Sequence, residues 1–246
     1  MNSPFILSLG SEIAPPLPDV GPQPEGSGIS MSIAQASITV LGMDIVYNGE
    51  LVQSAVTQQF LPRQLSVLTG PPGVGKSSLL RIIAGLQKPT RGTVLVGAKS
   101  LEDLDLLAYQ RQISWIPEQP LLAAGTIADN LHLAHPSASD DRVAAVLSRM
   151  GLRSLADQPV LRPDAGDEFS CGERQRVALA CALLADTPMV LLDEPTADCD
   201  LANERIIIGA VRELSDTRTV ICATDNEELI AAAGLVVTFS PGRARA

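Results

Sequence analysis

The spacing of apolar residues changes several times along the chain, and each change marks an element. Residues 11–30, SEIAPPLPDVGPQPEGSGIS, are rich in Pro, Gly and Ser and show no apolar period. Ordering them would cost entropy with little burial in return, so residues 1–36 are expected to form a flexible tail. From Ile38 the stretches ITVLGMDIVYNG and QQFLPRQLSVLTG read as strands, being rich in β-branched and apolar residues and bounded by Gly, Asn and Pro. GKSSLLRIIAGL then carries apolar residues at helical spacing, and GTVLVG and RQISWIPEQP return to strand character. Between Gly125 and Gly151 the pattern is helical, with DDRVAAVLSRMGL offering an Asp start, apolar residues at i, i+3 and i+4, and a Gly stop. A helical subdomain over about residues 119–172 follows from this. ERQRVALACALLAD is a further helix, followed by the buried strand MVLLDEP and the strand TVICATD. Alternating strands and helices predict an α/β fold on a parallel, helix-covered sheet, with a β-rich opening before it. The domain is expected to run over residues 37–246.

Chemistry enters with LTGPPGVGKSSLL. Gly70-x-x-x-x-Gly75-Lys76-Ser77 fits a phosphate-binding loop, follows a predicted strand and opens a predicted helix, which is the context that the motif requires. Across Gly70, Pro71, Pro72, Gly73, Val74, Gly75, Lys76, Ser77 and Ser78, glycines let backbone N–H groups curl round phosphates. Lys76 reaches the β and γ phosphates, and the Ser77 hydroxyl ligates Mg²⁺. Asp193 and Glu194 end the strand MVLLDEP, where the first carboxylate suits Mg²⁺ through water and the second an attacking water. Such a pair also suits the start of a turn, but its company with the phosphate loop favours the first reading.

Composition narrows the partners. The chain has 246 residues and 46% hydrophobic content, enough for a substantial core. A formal charge of -10 disfavours non-specific attraction to nucleic acid or anionic lipid, both polyanions. Cys171, Cys181, Cys199 and Cys222 show no C-x-x-C spacing, which favours reduced thiols over disulfides or zinc. Neither an apolar run of about 18 residues nor the basic flank of a signal peptide is present, so a membrane role would need a membrane part supplied by another chain.

FSCGERQRVALACALL, just before the acidic strand, completes a pattern that resembles the nucleotide-binding domain of ABC transporters. The resemblance covers residues 38–240, with its motifs in the expected order, and implies a phosphate-loop NTPase fold of ABC-type architecture: a parallel-sheet core, an antiparallel β subdomain and a helical subdomain. The signature stands as Ser170, Cys171, Gly172 and Glu173, with Cys in place of one Gly and Glu in place of Gln. The Cβ and thiol of Cys171 are expected to crowd a backbone that approaches phosphate. The resemblance implies that Ser170, Gly172 and Glu173 face ATP bound to a second ABC domain, that Tyr47 stacks on adenine, and that EPTADCD, closing at Asp200, lies in a dimer contact.

Two departures bear on hydrolysis. Counting back from GTI, the family's glutamine falls on Glu118, where a carboxylate would meet Mg²⁺ but repel the γ-phosphate; a one-residue slip would use Gln119 instead, and the sequence leaves both open. ICATD puts Asp225 where the family has its switch histidine, and an ionised Asp cannot donate a hydrogen bond. Mg-ATP binding is therefore expected, and fast hydrolysis by Glu194 at this chain's own site is not. The helical insert and WIPEQPLLAAGTI are similar to exporter-type domains, in particular heterodimeric thiol exporters of cytochrome bd assembly. The resulting reading is the ATP-binding subunit of an ABC transporter, cytoplasmic and peripheral on the inner face of the membrane, with a membrane-spanning partner and no nucleic acid. A non-hydrolysing regulatory module and a soluble ABC ATPase are the alternatives. A GTPase would carry an N-K-x-D motif, which is missing.

Overall fold

Parity along the strands explains the layers. In the computed structural model, which describes residues 32–47, 49–160 and 169–240, a parallel sheet contains β3 (Leu65–Thr69), β6 (Ile113–Ile116), β9 (Met189–Asp193), β10 (Thr219–Ala223) and β11 (Leu235–Thr238). Alternate side chains of a strand point to opposite faces. Val190, Leu192, Val220 and Cys222 thus enter one buried cluster, while Met189, Leu191, Ile221 and Ala223 enter another. A sheet covered on both faces reads as continuous apolar runs, as MVLLD does here.

The first face is covered by α5 (Cys171–Ala185) and α6 (Leu201–Thr217). The second is covered by α1 (Lys76–Ile83), which lies between the parallel sheet and an antiparallel sheet of β1 (Ile38–Tyr47), β2 (Glu50–Phe60), β4 (Arg91–Val96) and β5 (Lys99–Ser100), ordered β2-β1-β4-β5. Two short helices, α2 (Leu106–Gln110) and α7 (Glu227–Ala232), complete this frame. The helical subdomain holds α3 (Ile127–Ala134) and α4 (Asp140–Arg149), bracketed by the paired two-residue strands β7 (Gly125–Thr126) and β8 (Pro159–Val160). Buried Arg176 of α5 ties the subdomain down by donating to the carbonyls of Met150 and Gly151 at 2.8 and 3.1 Å, at the end of α4.

Several expectations need correction. Within the expected tail, Ile33–Gln35 form a 3₁₀ turn that buries Ile33, while residues 1–31 lie outside the described residues. QQFLPRQLSVLTG is two strands, because Pro62 lacks an N–H and Arg63 adopts a φ of 56°, so β2 ends at Phe60 and β3 starts at Leu65 in the other sheet. RQISWIPEQP supplies only the four residues of β6. The 17-residue α6, which follows the expected dimer-contact loop EPTADCD, has the signals of a helix, an Asp200 cap and apolar Ile207, Ala210, Val211 and Leu214 at i, i+3, i+4 and i+7.

Candidate functional site

In the parallel sheet, ordered β11-β3-β10-β9-β6, three adjacent strands end at one edge. Register pairs Ala223 with both Leu68 and Asp193, so the residues following β3, β10 and β9 converge. Carboxyl ends of parallel strands are where such folds collect their chemistry.

The loop after β3 turns into α1 on glycines. Gly75 occupies the N-cap with a φ of 99°, and a Cβ there would stand 2.8 Å from Ile45 Cγ2. At Gly70 (φ 138°) a Cβ would collide with the Phe239 carbonyl oxygen. Because Gly75 offers no side-chain cap, the first-turn N–H groups of α1 are left for an external acceptor. Pro71, Pro72 and Gly73 are exposed at the rim, while Val74 and Ser78 are buried and anchor the loop from behind.

Lys76 folds back into this loop, 7% exposed, with Nζ donating to Gly70 O at 2.5 Å and standing 3.1 Å from both Glu194 Oε1 and Asp225 Oδ2. Burial opposes its charge, but the two carboxylates outweigh burial and hold its pKa above the usual value. Ser77 donates to Asp193 Oδ1 at 2.9 Å. Asp193 is 2% exposed, and burial raises its pKa despite Ser77, Arg81 and Lys76. Glu194, at a φ of 45°, is raised likewise by burial against the pull of Lys76. Asp225 differs: the Thr69 hydroxyl (2.6 Å), the Gly70 N–H (3.0 Å) and Lys76 overcome burial and lower its pKa.

Glu118 and Gln119 follow β6 and are exposed. Glu118 contributes to the raised pKa of Asp193 and so lies within its electrostatic reach. Its backbone carbonyl accepts from Gln175 Nε2 at 2.8 Å, as does that of Pro117 at 3.2 Å. Gln175 is 0% exposed; its place on the buried stripe with Leu179 and Ala182 was legible from helical spacing, though its partners were not. Nothing in the motif pattern points to Thr69.

Away from this cluster, Ser170 caps α5. Its Oγ accepts from Glu173 N at 3.2 Å, and Glu173 Oε2 accepts from Ser170 N and Oγ, both at 2.8 Å. Ser-x-x-Glu is thus a capping box, which gives Glu173 a local reason. Gly172 is buried where a Cβ would meet Asn203 Nδ2 at 2.9 Å. The Cys171 Sγ lies 3.8 Å from Ala197 O, and burial followed by Asp198 raises its pKa. Tyr47 ends β1, paired with Glu50. Among the described contacts, Ser170 and Gly172 are not part of those that join the loop, Asp193, Glu194 and Asp225.

No described helix is long and apolar enough to cross a membrane. A family model described as "ABC transporter" matches residues 54–197. The mycobactin import ATP-binding/permease protein IrtB of Mycobacterium tuberculosis is 37% identical over 187 residues, 74% of this chain and 32% of that protein. The glutathione/L-cysteine transport system ATP-binding/permease protein CydC of Escherichia coli is 32% identical over 195 residues, 77% of this chain and 34% of that protein. The corresponding CydD of Haemophilus influenzae is 30% identical over 253 residues, 91% of this chain and 43% of that protein. The two glutathione/L-cysteine transport proteins agree with the resemblance to thiol transporters, whereas IrtB is a mycobactin import protein, and the chain spans less than half of the length of each. A bacterial Atm1-family ABC exporter with ATP bound shares the fold, with a TM-score of 0.78 at 21% identity over 85% of this chain and 38% of that one. With loop, acidic strand end and signature helix arranged in the order that the sequence gives them, the chain belongs to the ABC transporter family as an ATP-binding domain.

Proposed function

We propose that the chain binds Mg-ATP at the β3–α1 loop and turns it over slowly, coupling ATP-driven closure against a second ABC domain to a membrane-spanning transporter part. The observation that carries this reading is the junction of the loop with the acidic strand end: Ser77 on Asp193 at 2.9 Å and Lys76 on Glu194 at 3.1 Å. Residues 70–78 bind the phosphates, Lys76 serving the β and γ groups and the uncapped start of α1 supplying N–H donors. Tyr47 is the adenine platform.

The donor set fits Mg²⁺. Ser77 and Asp193 offer oxygen only, and no group of three or more His, Cys, Asp or Glu side chains suited to a metal occurs among the described residues. Mg²⁺ characteristically takes few protein ligands and completes its shell with water and phosphate. Ser77 and Asp193 would hold it, with Glu118 at the margin; when bound, it neutralises charge on the β and γ phosphates.

Glu194 is the general base. Its raised pKa suits proton acceptance, but its carboxylate is engaged by Lys76 and must be released when the γ-phosphate takes that lysine. Asp225 accepts hydrogen bonds where a donor toward the γ-phosphate is needed, which supports slow turnover. Ser170, Gly172 and Glu173 act on ATP of the second domain. This role requires the Ser170 hydroxyl to leave Glu173 Oε2. We place the domain on the cytoplasmic face of the membrane, without a nucleic-acid partner. The relatives are ATP-binding/permease proteins, so the membrane part belongs to the same chain in them.

The test is equilibrium ATP binding beside steady-state phosphate release over a wide range of protein concentration. Tight binding with little release is the expected result. Lys76→Ala should abolish binding, and tight Mg-ATP binding by that variant would overturn the site.

A further inference from the structure

Among the described residues, the loop's lysine and its first N–H are already engaged by one side chain of the chain itself. Asp225 takes the Thr69 hydroxyl and the Gly70 N–H on Oδ1, at 2.6 and 3.0 Å, and Lys76 Nζ on Oδ2 at 3.1 Å. The position is set by the neighbours of Asp225 rather than by chance rotamers. Thr224 is buried and donates its N–H to Leu68 O at 3.0 Å. Asn226 caps α7 and donates to Glu204 of α6 at 2.5 Å. Between these anchors the Asp225 side chain, 53% exposed, reaches back over the loop.

Resting on the reading of this loop as a nucleotide site, we infer that Asp225 is a specificity-determining residue that competes with the terminal phosphate, so that the ligand-free chain discriminates against ATP relative to ADP. Lys76 bridges the β and γ phosphates in such a loop. A diphosphate needs the lysine and the loop N–H groups only near the β-phosphate and leaves the Asp225 carboxylate most of its partners. A triphosphate brings further negative charge to the lysine that Asp225 and Glu194 share, so the carboxylate must give up the lysine while staying close to the new charge. Glu194 shares the same lysine and adds a second repulsion toward the terminal phosphate, but it is unchanged in Asp225 variants, so a shift in those variants reports Asp225 alone. The half-exposed position of Asp225 lets water screen the repulsion, so the penalty is moderate.

The experiment compares Kd for Mg-ATP and Mg-ADP in the wild-type chain and in Asp225→Asn and Asp225→Ala, by direct calorimetric titration. Asn is isosteric and keeps an acceptor for Thr69 and Gly70 but carries no charge. Both variants are expected to shift the ratio of ADP to ATP dissociation constants toward ATP by about fivefold to tenfold. Equal changes for the two nucleotides, or no change in variants that still bind ADP, would overturn the role of Asp225 while leaving the nucleotide site standing. If neither nucleotide binds the wild type, the nucleotide site itself fails and the inference goes with it.

Discussion

Removing the Ser77 hydroxyl tests the junction between the loop and the acidic strand end at its link to Asp193. In Ser77→Ala, Asp193 keeps its 2% exposure but loses the donor at 2.9 Å. A buried charged acceptor deprived of its hydrogen bond costs about 1–3 kcal/mol, with the upper part offset here by the nearby charges of Arg81 and Lys76. For a domain of this size the remaining loss of about 1–2 kcal/mol is a fall in Tm of about 2–8 °C in thermal unfolding without ligand at pH 7.5. Ser77→Thr retains the hydroxyl and should stay near wild type. The sign with pH follows from burial. The folded Asp193 pKa lies above its unfolded value, so its cost to stability is absent below the unfolded pKa, grows as pH rises and is complete above the folded pKa. Without Ser77 the folded value rises further, so the deficit of Ser77→Ala is full at pH 7.5 and shrinks as pH falls toward the ordinary carboxylate range near 4. An unchanged Tm at pH 7.5, or an equal fall in Ser77→Thr, would refute the reasoning.

Glu173→Ala should lower Tm by about 2–4 °C through loss of the α5 capping box, worth about 1 kcal/mol, whereas Glu173→Gln keeps an acceptor for Ser170 N and should not; matching losses in the two variants would show that the cap is not the reason. Asp225→His replaces an obligate acceptor with a potential donor, and phosphate release per bound ATP is expected to rise; an unchanged rate in a folded variant would clear Asp225 of responsibility for slow turnover.

Loop, acidic pair and signature were legible in the sequence because each is a local string whose chemistry depends on spacing along the chain. The same locality explains the errors. A short apolar run such as QQFLPRQLSVLTG does not reveal that its halves serve different sheets, since that depends on what covers each half. Nor does the substitution at Cys171 reveal where the thiol points; Ala197 of a distant segment decides it.

The sequence by itself determined the element types and the candidate donors and carboxylates. Periodicity of 2 or 3.6 follows from backbone geometry, and motif spacing places side chains within one turn or one strand. Only the tertiary structure decided that Asp225 rests on Thr69, Gly70 and Lys76, that Gln175 holds the Glu118 backbone, and that Gly172 is required by Asn203. Those contacts join residues on different elements whose approach is fixed by parallel register and packing across the sheet edge, quantities that no local stretch of the chain encodes.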